Sequence, residues 1–138
     1  MRCKKGAVVS QADVELVERF MQAFVAGDLE TVFELCHPEL VIKEADGVPY
    51  PGDHVGIEGL QNLLTKILEP FEMRVDSYEV SGVGSCVMLR WLIEFKSRAS
   101  GRSVMMPGVE LYSIADGQVS EIDVYYKDTK AIHELVAG

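Results

Sequence analysis

With 138 residues the chain has room for one domain and not for two. Its 48% hydrophobic and 25% charged residues belong to a folded globular protein, too apolar to remain disordered. Thirteen Lys and Arg against 22 Asp and Glu leave a net charge of −9, which argues against nucleic acid or an anionic membrane as partner, because phosphate binding needs a basic footprint. No uncharged apolar run approaches the roughly 20 residues of a spanning helix. Residues 1–6 (MRCKKG) are basic, but only 7–9 are apolar after them, too few for a signal peptide. Cys3, Cys36 and Cys86 are odd in number and lack CxxC spacing. That pattern speaks against a disulfide framework or a zinc site and for a reducing compartment, so a cytoplasmic protein is expected. One domain over 1–138 is expected, with 1–9 as a disordered tail.

Ser10 is placed to cap a first helix, with Asp13 in its first turn. Val14, Val17, Phe20, Met21, Phe24 and Val25 follow helical spacing along one face. Gly27 ends this helix and Asp28 caps a second, whose stripe is Leu29, Val32, Phe33 and Cys36, until His37-Pro38 stops it. Residues 40–44 read as a short strand and 46–56, rich in Gly and Pro, as a loop. A third helix is expected over 57–68, apolar at Leu60, Leu63, Leu64, Ile67 and Leu68.

From Phe71 the period changes to two. Phe71, Met73 and Val75 alternate with charges; Val87, Leu89, Trp91, Ile93 and Phe95 form an apolar face. Met105, Pro107, Val109 and Leu111 alternate with Met106, Gly108, Glu110 and Tyr112, and Ile122, Val124 and Tyr126 with Glu121, Asp123 and Tyr125. Turns fall at 81–85, at 97–103 and at Ala115-Asp116-Gly117, a tight hairpin. Three helices before four antiparallel strands give an α+β domain whose apolar sheet face packs on the helices.

The segments Arg19-Phe20, Gly27-Asp28-Leu29-Glu30, PYPGDHVGIEGL (49–60) and Asp116-Gly117-Gln118-Val119, leading into Tyr125-Tyr126-Lys127-Asp128, occur in an order that resembles the nuclear-transport-factor-2-like superfamily. Within it, the chain is similar to the ketosteroid isomerase and SnoaL-like polyketide cyclase group over about residues 12–132. The resemblance implies a cone-shaped α+β fold, a cystatin-like roll in which three N-terminal helices pack on a curved, mostly antiparallel sheet around a blind apolar pocket. The fold hosts isomerases, cyclases, epoxide hydrolases, dehydratases and non-enzymatic binding modules, so the polar groups in the pocket decide the function.

Glu44 is the first of these. Leu40, Ile42 and Glu44 share one strand face. With Leu40 and Ile42 inward, Glu44 puts a carboxylate at the edge of an apolar site, where desolvation raises its pKa toward that of a useful general base. Counted from Gly27-Asp28, it falls where ketosteroid isomerases carry their proton-abstracting Asp. The plainer alternative is an exposed Glu paired with Lys43 or His54. The family's two oxyanion donors do not match: their positions hold Phe20 and, allowing a shift of one, Val109. Compared with limonene-epoxide-hydrolase-like enzymes, Leu92, Glu94 and Val124 stand in for an Arg and two Asp, so Glu94 alone retains a carboxylate. Alternation sets Glu94 opposite the apolar face, as a solvated or dimer-interface group, unless a bulge reverses it.

Phe20, Phe24, Tyr50, His54, Trp91, Met105, Val109, Val124 and Tyr126 complete the expected substrate-binding set. Cys36 and Cys86 read as inert thiols, no ligand spacing for a metal is present, and no cofactor is expected. The function expected is cofactor-independent proton transfer on a hydrophobic carbonyl compound, by an isomerase or cyclase with Glu44 as base. The alternatives are an epoxide-hydrolase-like hydrolase and a non-catalytic ligand-binding or dimerisation module. A homodimer is expected through an outer sheet face of Arg90, Leu92, Glu94, Met106, Glu110, Tyr112, Asp123 and Tyr125.

Overall fold

A computed structural model describes residues 8–137. Helix α1 (Gln11–Val25) starts in a capping box: the Ser10 hydroxyl accepts from the Asp13 N–H at 3.2 Å and the Asp13 carboxylate from the Ser10 N–H at 3.3 Å. Gly27, in the left-handed region at φ +73°, ends it. The Asp28 carboxylate then caps α2 (Leu29–Glu34), accepting from the Thr31 N–H and hydroxyl at 3.2 and 2.6 Å. Helix α2 is shorter than its apolar stripe suggested. Cys36 already belongs to strand β1 (Cys36–Glu44), because His37 precedes a proline and is driven to extended backbone.

The segment expected as a loop at 46–56 contains a strand, β2 (Gly52–Val55), which pairs with β1 in the register Val41↔Val55 to Glu44↔Gly52. Helix α3 (Gly56–Leu68) buries Leu60, Leu63, Leu64 and Ile67. Strands β3 (Phe71–Val83), β4 (Cys86–Ser97), β5 (Ser103–Ala115) and β6 (Gln118–Tyr126) follow as successive hairpins. The last turn has positive φ at both Asp116 and Gly117, the type I′ geometry that suits the right-handed twist of the strands. A helix that the periodicity did not reveal, α4 (Thr129–Ala137), buries Ile132 and Leu135. No described helix is long and apolar enough to cross a membrane. Of the tail expected over 1–9, residues 1–7 lie outside the described residues. Val9 is docked, its N–H donating to the Gly84 carbonyl at 2.8 Å.

The six strands form one sheet in the order β2-β1-β6-β5-β4-β3, antiparallel except for the parallel pair β1 and β6. Bulges at Asp76 in β3 and at Ser120 in β6, opposite Ser113 and Ile114, bend the sheet. Helices α1 and α3 pack against it and their apolar faces join its inner face in one core. The inner face of β4 is Val87, Leu89, Trp91, Ile93 and Phe95, as alternation indicated. Strand β5 presents the opposite set from the one expected. Register places Tyr112 beside Val87, Glu110 beside Leu89, Gly108 beside Trp91 and Met106 beside Ile93. Met106, Glu110 and Tyr112 therefore face inward, and Met105, Pro107, Val109 and Leu111 outward. Pro107 is tolerated because its carbonyl, accepting from Lys127 N–H at 3.0 Å, sets its nitrogen toward the end of β6, where the ladder stops.

Gly108 is required by packing. A Cβ there would lie 2.2 Å from Cζ2 of the Trp91 ring. Gly108→Ala should destabilise the protein by about 1–3 kcal/mol, the usual range for overpacking. Differential scanning calorimetry should then show a melting point lower by several degrees. An unchanged melting point would mean that the indole is free to move.

Candidate active site

Between the helices and the inner sheet face lies a cavity of about 90 Å³, room for several waters or a compact ligand. Its walls are apolar: Phe20, Met21 and Phe24 from α1, Leu60, Leu63, Leu64 and Ile67 from α3, Leu89, Trp91, Ile93 and Phe95 from β4, Ile122 and Val124 from β6. Four side chains bring oxygens to this surface: Glu44, Glu110, Tyr112 and Tyr126. No Lys or Arg lines it.

Strand order brings these groups together. Strands β1 and β5 are the two neighbours of β6, so Glu44 and Glu110 approach from opposite sides of the strand that carries Tyr126. The Tyr126 hydroxyl donates to Glu44 Oε2 at 3.4 Å and lies 2.9 Å from the Tyr50 hydroxyl, which thus donates to it. The Ala45 N–H donates to Glu44 Oε1 at 3.2 Å. The Tyr112 hydroxyl donates to Glu110 Oε1 at 2.6 Å, and its ring meets Phe20 edge-on at 5.6 Å.

Burial pushes the Glu44 carboxyl up to about 8, and the negative charge of Glu110 adds to the rise. The bonds from Ala45 and Tyr126 offset this only in part. Glu110 is raised as well, by burial, against the lowering effect of Tyr112 and Trp91. Burial also raises Tyr50, Tyr112 and Tyr126, which therefore stay neutral donors. The indole N–H of Trp91 is near enough to favour the charged form of Glu110 but falls short of hydrogen-bond geometry. It has no partner among the described residues, although a buried unpaired donor costs about 1–3 kcal/mol.

Of the residues expected from sequence, Glu44, Phe20, Phe24, Trp91, Val124 and Tyr126 line the cavity. Tyr50 is buried behind Tyr126 and reaches the site through its hydroxyl alone. His54, expected in the substrate-binding set, is buried on β2, where its Nε2–H donates to the Tyr50 carbonyl at 3.1 Å, so it braces this segment and does not line the cavity. Met105, 41% exposed, and Val109 are outside the cavity because β5 turns its other face inward. Glu94 lies on the outer face, 3.4 Å from Arg74. Glu110, read from sequence as an outer-face charge, is the residue the sequence reading missed. Its signal was present in β5 as the one carboxylate in register with the apolar face of β4. Burial pushes the Cys36 thiol up to about 12, in keeping with an inert role. Cys86 is disulfide-bonded, which corrects its reading as an inert thiol and withdraws the cysteine argument for the cytoplasm. Among the described residues no group of three or more His, Cys, Asp or Glu is arranged to hold a metal ion.

A curved sheet closed by helices over an apolar chamber, with two carboxyls held only by neutral donors, defines a domain of the cone-shaped α+β class. The SnoaL-like domain model matches residues 17–122, and the chain belongs to that family. Its fold is that of the nuclear-transport-factor-2-like proteins. It is similar to an NTF2-like protein of unknown function from Burkholderia pseudomallei K96243, with a TM-score of 0.83 and 18% identity over 94% of this chain and 100% of that one. TerC, co-crystallized with polyporic acid, superposes with a TM-score of 0.81 and 20% identity over 93% and 100% of the two chains. A candidate polyketide cyclase from Xanthomonas campestris pv. campestris gives 0.77 and 15% over 92% and 98%. At these identities the likeness is one of fold. No curated protein matches the sequence.

The Glu44 carboxyl has a measurable signature. Its pKa is higher folded, about 8, than the 4.5 of an unperturbed Glu, so the fold favours its protonated form. Its contribution to stability is full below pH 4.5, declines as pH rises and is lost above about 8. Glu44→Gln stays neutral throughout. The stability of the variant relative to wild type should therefore rise between pH 4.5 and 8, by up to about 1.4 kcal/mol per pH unit. Urea unfolding at a series of pH values reads this difference, and a flat difference would place Glu44 in water.

Proposed function

We propose that this domain transfers a proton beside the carbonyl of a compact hydrophobic compound, as an isomerase or an aldol-type cyclase, with Glu44 as the base. The observation that carries the reading is a carboxyl at the wall of an apolar cavity, poised at a pKa of about 8 and oriented by Tyr126 and Ala45. Ionised Glu44 takes the proton from the carbon next to the carbonyl. The C–H electron pair forms the C=C bond of an enolate as the carbonyl π pair moves onto oxygen. Return of the proton to another carbon gives the isomer; attack of the enolate carbon on a second carbonyl of the same molecule closes a ring, and the alkoxide so formed takes the proton back from Glu44. Nothing is oxidised or reduced. The family and the cyclase-like and TerC folds support a pocket for small organic molecules. The hydrolase reading has no such support, since Glu94, its one carboxylate, is on the outer face.

Uptake of deuterium from D2O at the methyl group of acetophenone tests the chemistry. Wild-type exchange should rise with pH to a plateau above about 8, because the base acts when ionised. Glu44→Gln should lower it by roughly 100-fold or more. Wild-type exchange no faster than that of the variant removes Glu44 from the reaction.

Pairing of two copies through the outer sheet face is proposed with a corrected composition: Arg90, Leu92, Glu94, Asp123 and Tyr125, joined by Met105, Val109 and Leu111 of β5. Exposure of Met105 at 41% and Tyr125 at 49% supports an interface there. Sedimentation equilibrium at tens of micromolar should give twice the 15.3 kDa chain mass, and the single mass would refute the dimer.

A further inference from the structure

We propose that the Trp91 indole N–H is the recognition donor of the cavity, and that it selects ligands carrying a neutral oxygen acceptor, such as a ketone, aldehyde or ester, on an apolar body. This rests on the proton-transfer reading, for which it names the group that holds the substrate oxygen. Trp91 is 5% exposed, lines the cavity, and has an Nε1–H without a partner among the described residues. Buried donors are almost always paired, so an unpaired one on a residue that lines a cavity points to an acceptor brought by the ligand.

The donor is held in place on both sides. Gly108, its neighbour across β5, lets the ring lie against the backbone, where a Cβ would strike it. The Tyr126 ring meets it edge-on at 5.5 Å and 81°. A fixed donor loses little freedom on binding and so contributes more to affinity than a mobile one. Glu110 accepts from the Tyr112 hydroxyl at 2.6 Å, and the indole N–H, though close to this carboxyl, makes no hydrogen bond to it. The acceptor is neutral because a carboxylate ligand would enter a cavity that already holds Glu44 and Glu110 and no Lys or Arg. The walls, aromatic at Phe20, Phe24 and Phe95, exclude a ligand that is polar all round.

The chain has a single Trp, so its indole N–H gives one unambiguous signal in a ¹H–¹⁵N spectrum. Acetophenone and α-methylstyrene have the same shape, with an oxygen in the first where the second has a CH2 group. Titration with acetophenone should move the indole proton downfield, and α-methylstyrene should bind without that shift. Trp91→Phe should weaken acetophenone about 5- to 10-fold, the loss of one net hydrogen bond, and leave α-methylstyrene nearly unchanged. An indole signal that acetophenone does not move, or that both compounds move alike, overturns the proposal, as does equal acetophenone affinity in wild type and Trp91→Phe. The titration reads binding without turnover. A downfield shift without deuterium exchange would therefore leave recognition standing and fell the proton-transfer reading alone.

Discussion

Everything at this site follows from the cost of taking a carboxylate out of water. Glu44 and Glu110 stand at the wall of a cavity that is otherwise hydrocarbon, and neither has a cation within it. A Lys or Arg would have fixed each as a permanent anion and pulled its pKa down. The partners present are one backbone N–H and two tyrosine hydroxyls, neutral donors that favour a carboxylate only modestly. Desolvation therefore wins, and both groups are raised. This arrangement lowers stability at neutral pH and leaves a carboxyl whose charge is switchable there.

The sheet makes that placement possible. A carboxylate on β1 and another on β5 can face one chamber only if a single strand separates them and all three turn the matching face inward. The parallel pairing Ile42↔Ile122 sets the face of β1 against β6, and Glu110↔Val124 sets the face of β5 against the same strand. A slip of one residue in either ladder would send its carboxylate to the outer surface. The tyrosines fasten the register: Tyr126 to Glu44 spans 82 positions of sequence, and Tyr112 ties Glu110 from two residues along its own strand. The glycine at 108 gives Trp91 the space to lie flat between them.

What the sequence made legible is what local chemistry decides. The Ser10 and Asp28 caps, the Gly27 stop, the Asp116-Gly117 turn and the inner faces of β4 and β6 each depend on a few neighbouring residues. Glu44 was also readable, since Leu40 and Ile42 fix the face of its strand. Strand β5 was not. Both its faces carry apolar residues, Met105, Val109 and Leu111 on one and Met106 and Tyr112 on the other, so alternation has no preferred phase there. Only pairing with β4 supplies the phase, and that is non-local. Strand β2 is four residues in a Gly- and Pro-rich stretch, where turn chemistry outweighs the pattern. The partnership of Tyr126 with Glu44 required the parallel contact of β1 and β6, which no spacing announces.

The one-residue difference between Val109 and Glu110 carries the functional consequence. With Val109 inward, this part of the chamber would be an aliphatic wall; with Glu110 inward, it holds a second carboxyl. Two carboxyls in one apolar chamber do not ionise independently, because the first charge opposes the second. Each therefore opposes ionisation of the other, which is part of why Glu44 is raised so far. In the proposed reaction Glu44 is the base once ionised, and the charge on Glu110 makes it the stronger one. A Lys or Arg in the chamber would favour the ionised form of both carboxyls and cancel that effect.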